Sequence, residues 1–515
     1  MHDPFTLSVI QSGLDNAAEE MFAVLRKTAM SPIIYEVLDV GTGVTDASGN
    51  LVSSGAGIPT FVGVLDKAVQ VIIARYGDTI RPGDVFITND PNFGGVTHLN
   101  DVVIAKPVFF DNVLVAWTAS IGHWGDIGGK VPGSMATDVT EIFAEGLRLP
   151  AVRLIDQGRE ISAVFDIIKT NSRLPKFVHG DLWAQLAASK SAELKILDLF
   201  KKYGKNAVEA SIKESFKIGR ERAAAGLAAL PKGRFEIEEE QDDGALWRAI
   251  ITISDDTFCV DLSSNPAECT APYNTSRDGA IISCQMIFKA LCDPERFANA
   301  GSFSQLKVIT KQGTIFHAGP TAPQGYYFET RIRLFDMLWQ CMACAMPGRL
   351  PAGSFSSIFG TVIAGKHPDT GRRYTMVEPQ MGGWGATTER AGMNAMFSTS
   401  HGDTFNCPVE ICEARYGLYV VHKSLGAAKP STSQYSGGRG VSLMYELRGD
   451  ANLSVGYTRA VIPVWSTPGS ESGGKNSMQI NRKNGKIEEY RYISGLNLRC
   501  GDKILIETAS GGNFN

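Results

Sequence analysis

The sequence predicts a mixed α and β (α+β) protein in which a helical layer is inserted between two sheet-containing regions. Amphipathic helical spacing opens the chain, and strand-like segments broken by turn residues occupy 84–121 and 235–262. Between them, residues 160–230 are rich in Lys, Ala, Leu and Glu, with few glycines. These shifts divide the chain into 1–160, an α/β region; 161–231, a helical region; and 232–515, a mixed, β-rich region with Gly-rich turns. At 515 residues the chain is long enough for two or three buried cores.

Taken in order, Ile10, Leu14, Ala17, Met21 and Leu25 fall on one helical face within the first 30 residues. Residues 36–53 read as a hairpin with turn residues over Asp46–Asn50, and 62–76 as a second helix carrying Val64, Leu65, Ala68, Val71 and Ile72. DVFITND, VVIAKPVFF and VLVAWTASI then read as strands; Pro107 favours an edge position for the second of them. After Pro231-Lys-Gly233 come FEIEEE, WRAIITI and TFCVDL, then helices near 276–292 and 328–346.

Composition excludes several classes. A net charge of -4 carries no basic footprint for nucleic acid or anionic lipid, and no apolar run is long enough for a spanning helix. The N-terminus lacks the basic-then-apolar pattern of a secretory signal, so a cytoplasmic location is expected. Nine cysteines, an odd count in mostly apolar surroundings, suit reduced thiols better than a disulfide framework. The lone CxxC, Cys341–Cys344, lies in an apolar stretch that reads as a buried helix. Glycine is in excess, 54 residues, and clusters at Gly94-Gly95, Gly128-Gly129, Gly382-Gly383, Gly437-Gly438, Gly473-Gly474 and Gly511-Gly512, where backbone turns sharply or approaches something closely.

Two HxxD motifs, His98-Leu-Asn-Asp101 and His123-Trp-Gly-Asp126, carry the chemistry, because histidine and aspartate are common ligands of zinc, manganese and iron. The segment between them is a hairpin candidate. With Asp111 and Asn112 as its turn, cross-strand partners have numbers summing to 223, so Asp101 faces Gly122 and His98 approaches the level of Gly125. The motifs thus meet at the open end of the hairpin, giving a candidate divalent-metal set of His98, Asp101, His123 and Asp126. Asp39 or Asp90 completes the shell or orients a histidine, with Asp39 preferred. The competing reading is that these residues only cap strand ends.

The string around these motifs resembles the hydantoinase B/oxoprolinase family: TNDPxxGGTHxxD at Thr88–Asp101, HxxDIGGxxPGS at His123–Ser134 and EGLRxP at Glu145–Pro150. The likeness extends to Glu19–Met21, Thr28-Ala29, Ser31-Pro32, Glu36 and Asp39, and onward to Gly382–Ala386, Pro408–Arg415 and Ser436–Gly440. The resemblance implies a B-type subunit with a divalent metal, zinc foremost and manganese or iron as alternatives. It also implies a hetero-oligomer with an A-type, actin-fold ATPase that spends ATP to phosphorylate a small cyclic amide such as a hydantoin or lactam. Phosphorylation makes the amide carbon electrophilic, and the metal activates water against it. Asp101 or Asp126 is then the candidate proton acceptor, and Gly382 and Gly383 are expected to offer backbone amides to an oxyanion or phosphate. The alternatives are a subunit of an ATP-dependent ketone carboxylase of the acetone or acetophenone type, and a non-catalytic scaffold with a structural metal. The cysteine-free donor set speaks against the scaffold. Two departures from the family pattern, at Ile58–Gly63 and Arg390–Gly392, fall where substrate contacts are expected.

Overall fold

A computed structural model describes residues 3–295, 297–402, 404–428 and 431–515. Asp3 caps the first helix, α1 (Pro4–Thr28), by accepting from the Thr6 amide, and Pro4 presets its first turn. Its buried stripe is Ile10, Leu14, Ala17, Ala18, Met21 and Leu25. A short α2 (Pro32–Tyr35) leads into β1 (Val40–Asp46) and β2 (Leu51–Ser54), followed by α3 (Pro59–Tyr76). The strands β3 (Val85–Thr88), β4 (Asp101–Phe110), β5 (Val113–His123), β6 (Val152–Asp156) and β7 (Arg159–Glu160) complete a sheet of order β2-β1-β5-β4-β3-β6-β7. Helices α4 (Ser162–Asn171), α5 (Pro175–Tyr203) and α6 (Lys205–Ala228) form the helical run, with α1 packed on α5 and α6.

Both faces of this sheet are covered, so its central strands are buried along most of their length. Val103 and Ala105 of β4 join Trp117, Ala119 and Ile121 of β5 against Val64, Leu65 and Ala68 of α3. Val102 and Ile104 face the other way, toward Leu182 and Leu186 of α5. Asp111 and Asn112, at φ 49° and 62°, make the tight turn expected of them. The register is not the simple one, however. Phe110↔Val113 and Phe109↔Leu114 pair as expected, but the next pair is Val108↔Ala116, leaving Val115 as a one-residue bulge. Without it, Ser120 and Thr118 would share a face with Val103 and Ala105, and Ile121 and Ala119 would turn away from α3. Burying each large apolar side chain is worth roughly 1.5–3 kcal/mol, so matching the apolar set to α3 outweighs one interrupted ladder position. Asp101 consequently faces His123 rather than Gly122. Pro107 sits in a central strand, against expectation. It lies beyond Ala105, the outermost β4 residue paired with β3, so one flank of β4 is open there.

A second sheet, β11-β10-β9-β8, is built from β8 (Gly233–Glu240), β9 (Leu246–Ile253), β10 (Phe258–Asp261) and β11 (Leu306–Ile309). Helices α7 (Arg277–Cys292) and α8 (Tyr327–Ala345) share its apolar core. Cys341 is buried on α8, and all nine cysteines are free thiols. Beyond α8 lie β12 (Gly360–Lys366), β13 (Arg373–Glu378), α9 (Val409–Arg415), β14 (Leu418–Leu425), β15 (Val441–Leu447), β16 (Ala451–Gly456), β17 (Ser477–Asn481), β18 (Ile487–Glu489), β19 (Tyr492–Leu498) and β20 (Lys503–Glu507). They form two sheets, β13-β12-β16-β19 and β14-β15-β20-β17-β18, over one core. No helix among the described residues is long and apolar enough to cross a membrane.

The late glycine clusters bring extended segments together backbone to backbone. The Gly382 amide donates to Met396 O at 2.8 Å, the Gly383 amide to Ala509 O at 2.9 Å and the Gly511 amide to Gly438 O at 2.9 Å. A Cβ on Gly383 would lie 1.8 Å from Gly438 O, and one on Gly382 2.1 Å from the Phe355 ring. The crowding follows the logic of a triple-helix axis, where only glycine fits. Gly382 and Gly383 therefore have no free amides for a phosphate or oxyanion, contrary to the expectation from sequence. Gly383→Ala is expected to destabilise the fold by about 1–3 kcal/mol or more, because a backbone oxygen cannot move aside. Urea unfolding measures this, and an unchanged midpoint would contradict the packing described.

Candidate metal centre

Three adjacent strands set the site. Val40 of β1 pairs with Gly122 of β5, and the His123 amide donates to Asp39 O at 3.1 Å, so Asp39 flanks His123 on one side. Asp101, the first residue of β4, flanks it on the other. Asp39, His123 and Asp101 thus stand in a row across the end of the sheet. His98 lies one turn before β4, and its carbonyl accepts from the Asp101 amide.

The side chains converge. His98 Nε2 lies 3.1 Å from Asp101 Oδ1, and His123 Nδ1 lies 3.2 Å from the same oxygen. The other oxygen, Asp101 Oδ2, accepts from the Thr97 hydroxyl and, at 3.3 Å, from the Tyr327 hydroxyl. His98 Nδ1 donates to Gly325 O at 2.9 Å, which leaves Nε2 facing the cluster. Glu145 fixes that carbonyl in turn: its Oε1 accepts from the amides of Gln324 and Gly325 at 2.8 and 2.6 Å. Asp39 Oδ2 stands 3.8 Å from His123 Nδ1.

The electrostatics follow from burial and proximity. Burial opposes ionisation of Asp101, yet the two imidazoles beside it hold its carboxyl well below the ordinary carboxylate range. Against the cost of burial, Asp101 raises the His98 imidazole above its usual value. Burial pushes Asp39 up to about 6, with His123 opposing. Burial pushes Glu145 up to about 8, and its Oε2 has no partner among the described residues.

His98, Asp101 and His123 form a buried group that could hold a divalent cation. Bonds of about 2.0–2.2 Å to such an ion place neighbouring donors roughly 3–3.4 Å apart, matching the spacing about Asp101 Oδ1. Two imidazoles and a carboxylate suit zinc, manganese or iron, and the set contains no thiolate. Buried His123 Nε2 has no partner among the described residues.

Beside the cluster lies a cavity of about 40 Å³, about three times the least that holds one water. Its walls include Thr60 and Phe61 from the start of α3, Tyr327, Phe328 and Arg331 from α8, and Glu378 and His401. The departure noted at Ile58–Gly63 therefore falls on the cavity wall. The other does not reach it: Gly392 packs against Trp384 O in the glycine-rich segments.

Two carboxylates are engaged elsewhere. Asp126 is fully buried but points away from the cluster: its oxygens accept from the amides of Gly128, Gly133 and Arg173, and from the Arg173 guanidinium at 3.2 Å. It anchors the glycine-rich turn to the α4–α5 junction, which corrects its expected roles as ligand and proton acceptor. Asp90 accepts from the amides of Asn92 and Phe93 and from Arg148, so Asp39 is the extra carboxylate that reaches the site. Tyr327, Arg331 and His401 were not legible as site residues. Their one signal is a tyrosine and an arginine four apart, on one face of a helix otherwise read as apolar.

The centre is of the kind that holds one divalent cation by two histidines and a carboxylate. The Hydantoinase B/oxoprolinase family model matches residues 3–514, and the chain belongs to that family. It is 29% identical to the beta chain of the caprolactamase of Pseudomonas jessenii, covering 99% of this chain and 90% of that one. A chain assigned as the B-type component of a D-/L-hydantoinase in Pseudomonas sp. (strain NS671) is 27% identical with the same coverage. The crystal structure of the ATP-dependent caprolactamase from Pseudomonas jessenii superposes with a TM-score of 0.93 at 25% identity, over 100% of this chain and 91% of that one. Nucleotide-free acetone carboxylase shares the fold, with a TM-score of 0.89 at 16% identity over 100% and 76% of the two chains.

Burial pushes the Glu378 carboxyl up to about 8 from an ordinary 4.5. Between those values the folded chain holds more protons than the unfolded one, so this group's contribution to stability falls as pH rises through the window. Glu378→Gln keeps an acceptor for the Cys407 amide and is expected to flatten the fall, by a few kcal/mol at most. Urea unfolding at pH 5 and pH 8 measures the slope; an identical slope in the variant would contradict this.

Proposed function

We propose that this chain is the B-type subunit of an ATP-dependent cyclic-amide hydrolase, acting on a lactam or hydantoin that an A-type ATPase partner has phosphorylated. The observation that carries the reading is the buried His98–Asp101–His123 donor set beside a small, largely apolar cavity. Full-length similarity to chains named for hydantoinase and caprolactamase supports it.

An amide carbonyl resists water because nitrogen donates into it, and phosphorylation of its oxygen removes that protection. A divalent cation at this centre supplies Lewis acidity and acidifies water. The remaining work falls to the chain itself. Thr97 and Tyr327 hold Asp101 Oδ2, fixing the carboxylate. Gly325 O holds the His98 ring, and Glu145 holds Gly325. Asp39 Oδ2, 3.8 Å from His123 Nδ1, is placed to complete the shell or to accept the proton, whereas Asp126 is bonded to Arg173 outside the site. The apolar wall of Phe61, Phe328, Ile358 and Val377 excludes bulk water from the activated ring.

The test is ATP turnover and product formation by the chain reconstituted with its A-type partner, across lactams, hydantoins, and ketones with bicarbonate. Ring-opened product with a cyclic amide is expected, and His123→Ala should lose both bound metal and hydrolysis. Bicarbonate-dependent ATP use with ketones, and no ring opening, would refute the proposal in favour of carboxylation.

A further inference from the structure

The cavity contains a cation that the proposed hydrolysis leaves unused. Arg331 is 1% exposed, on α8 one turn beyond Tyr327, in the same wall as the metal cluster. Among the described residues two other guanidiniums are buried as deeply, Arg333 and Arg459, and both are neutralised. Arg333 pairs with Glu239 at 2.6 Å and Asp336 at 3.3 Å; Arg459 pairs with Asp336 at 2.5 Å and Glu239 at 3.1 Å. Arg331 has no such partner among the described residues. Its Nη1 contacts are Ser400 O at 3.2 Å and Met286 Sδ at 3.9 Å, and its Nε has none. The Asp101 and Glu329 carboxylates favour its charge from a distance without bonding it, and a buried charge with no bonded partner is costly and persists where a ligand supplies the opposite charge.

Further polar atoms in the same wall are also unpartnered among the described residues: Thr60 Oγ1 and His401 Nε2. Burial, with Arg331 beside it, presses His401 down to about 3, so its ring is neutral and adds a dipole rather than a second charge. A guanidinium presents paired donors to phosphate or carboxylate oxygens. A hydroxyl and an imidazole complete the kind of cradle that a planar or tetrahedral oxyanion needs.

We propose that Arg331, Thr60 and His401 form an oxyanion subsite beside the metal cluster, holding a phosphoryl or carboxylate group of the substrate. Its assignment to a substrate rests on the hydrolase reading; the binding of an oxyanion does not. Arg331 thereby selects substrates that carry or acquire negative charge, and it fixes that charge next to the reacting carbon.

The test uses metal-loaded full-length chain and thermal melts with inorganic phosphate. The melting temperature should rise saturably in the wild type, because a ligand of the folded state stabilises it. Arg331→Met should abolish the rise, keep its metal, and melt no lower than wild type without anion, since it removes a desolvated charge. Thr60→Val, a milder change, should weaken the phosphate response about tenfold or more. A parallel arm compares 5-oxoproline with 2-pyrrolidinone, the same ring without a carboxylate. Stabilisation by phosphate alone assigns the subsite to the phosphoryl group; stabilisation by 5-oxoproline but not 2-pyrrolidinone assigns it to a ring carboxylate. The proposal is overturned if neither phosphate nor 5-oxoproline shifts the wild type. It is equally overturned if Arg331→Met, or Thr60→Val where the former does not fold, responds as wild type does. Metal content, read in every sample, separates failure of this subsite from failure of the metal centre.

Discussion

Asp101 faces His123 across the β4–β5 ladder, and this pairing is the constraint on which the centre depends. Side chains directly opposed in a ladder share a face, so both project toward the start of α3 and the cavity there. The pairing is not chosen by the site. It follows from Val115, whose extra residue lets Trp117, Ala119 and Ile121 reach the α3 face together with Val103 and Ala105. Burial of an apolar face places the candidate ligands, and the neighbouring β1 adds Asp39 to the same row.

His98 extends the centre beyond this sheet. Its ring is oriented by Gly325 O, whose segment leads into α8 and is clamped by Glu145. Glu329, one turn into α8, accepts from the amides of Ile358, Phe359 and Thr458 and from the hydroxyls of Ser357 and Thr458. A single buried carboxylate thus ties α8 to the segments that enter β12 and leave β16. The N-terminal turn of the helix that carries Tyr327 and Arg331 is therefore held from two sides. These contacts are of the outer kind that orients a histidine able to bind a metal.

Much of this was legible in the sequence, for identifiable reasons. Two HxxD motifs joined by alternating apolar strands and a polar two-residue turn must meet at the mouth of a hairpin. The register was not legible, because the turn alone gives partners summing to 223 and the bulge at Val115 that shifts them is chosen by packing on α3, which the hairpin does not reveal. Asp126 shows the limit of motif reasoning: the same spacing from a histidine that makes Asp101 a ligand candidate leaves Asp126 to Gly128, Gly133 and Arg173. The glycine pairs did mark close approach, but what approaches Gly383 is the backbone at Gly438 and Ala509. Arg331 was hidden because it stands among other charged residues on α8, Glu329, Arg333 and Asp336, and only the structure shows which of them lack a partner.

The central claim is that His98, Asp101 and His123 hold one divalent cation while Asp126 does not. The most direct measurement is anomalous diffraction at a metal absorption edge, from crystals of the chain loaded with zinc or manganese. The account predicts one strong peak within bonding distance of His98, His123 and Asp101, with Asp126 still bonded to Arg173. A peak at Asp126, or no peak among the three residues at saturating metal, would contradict it.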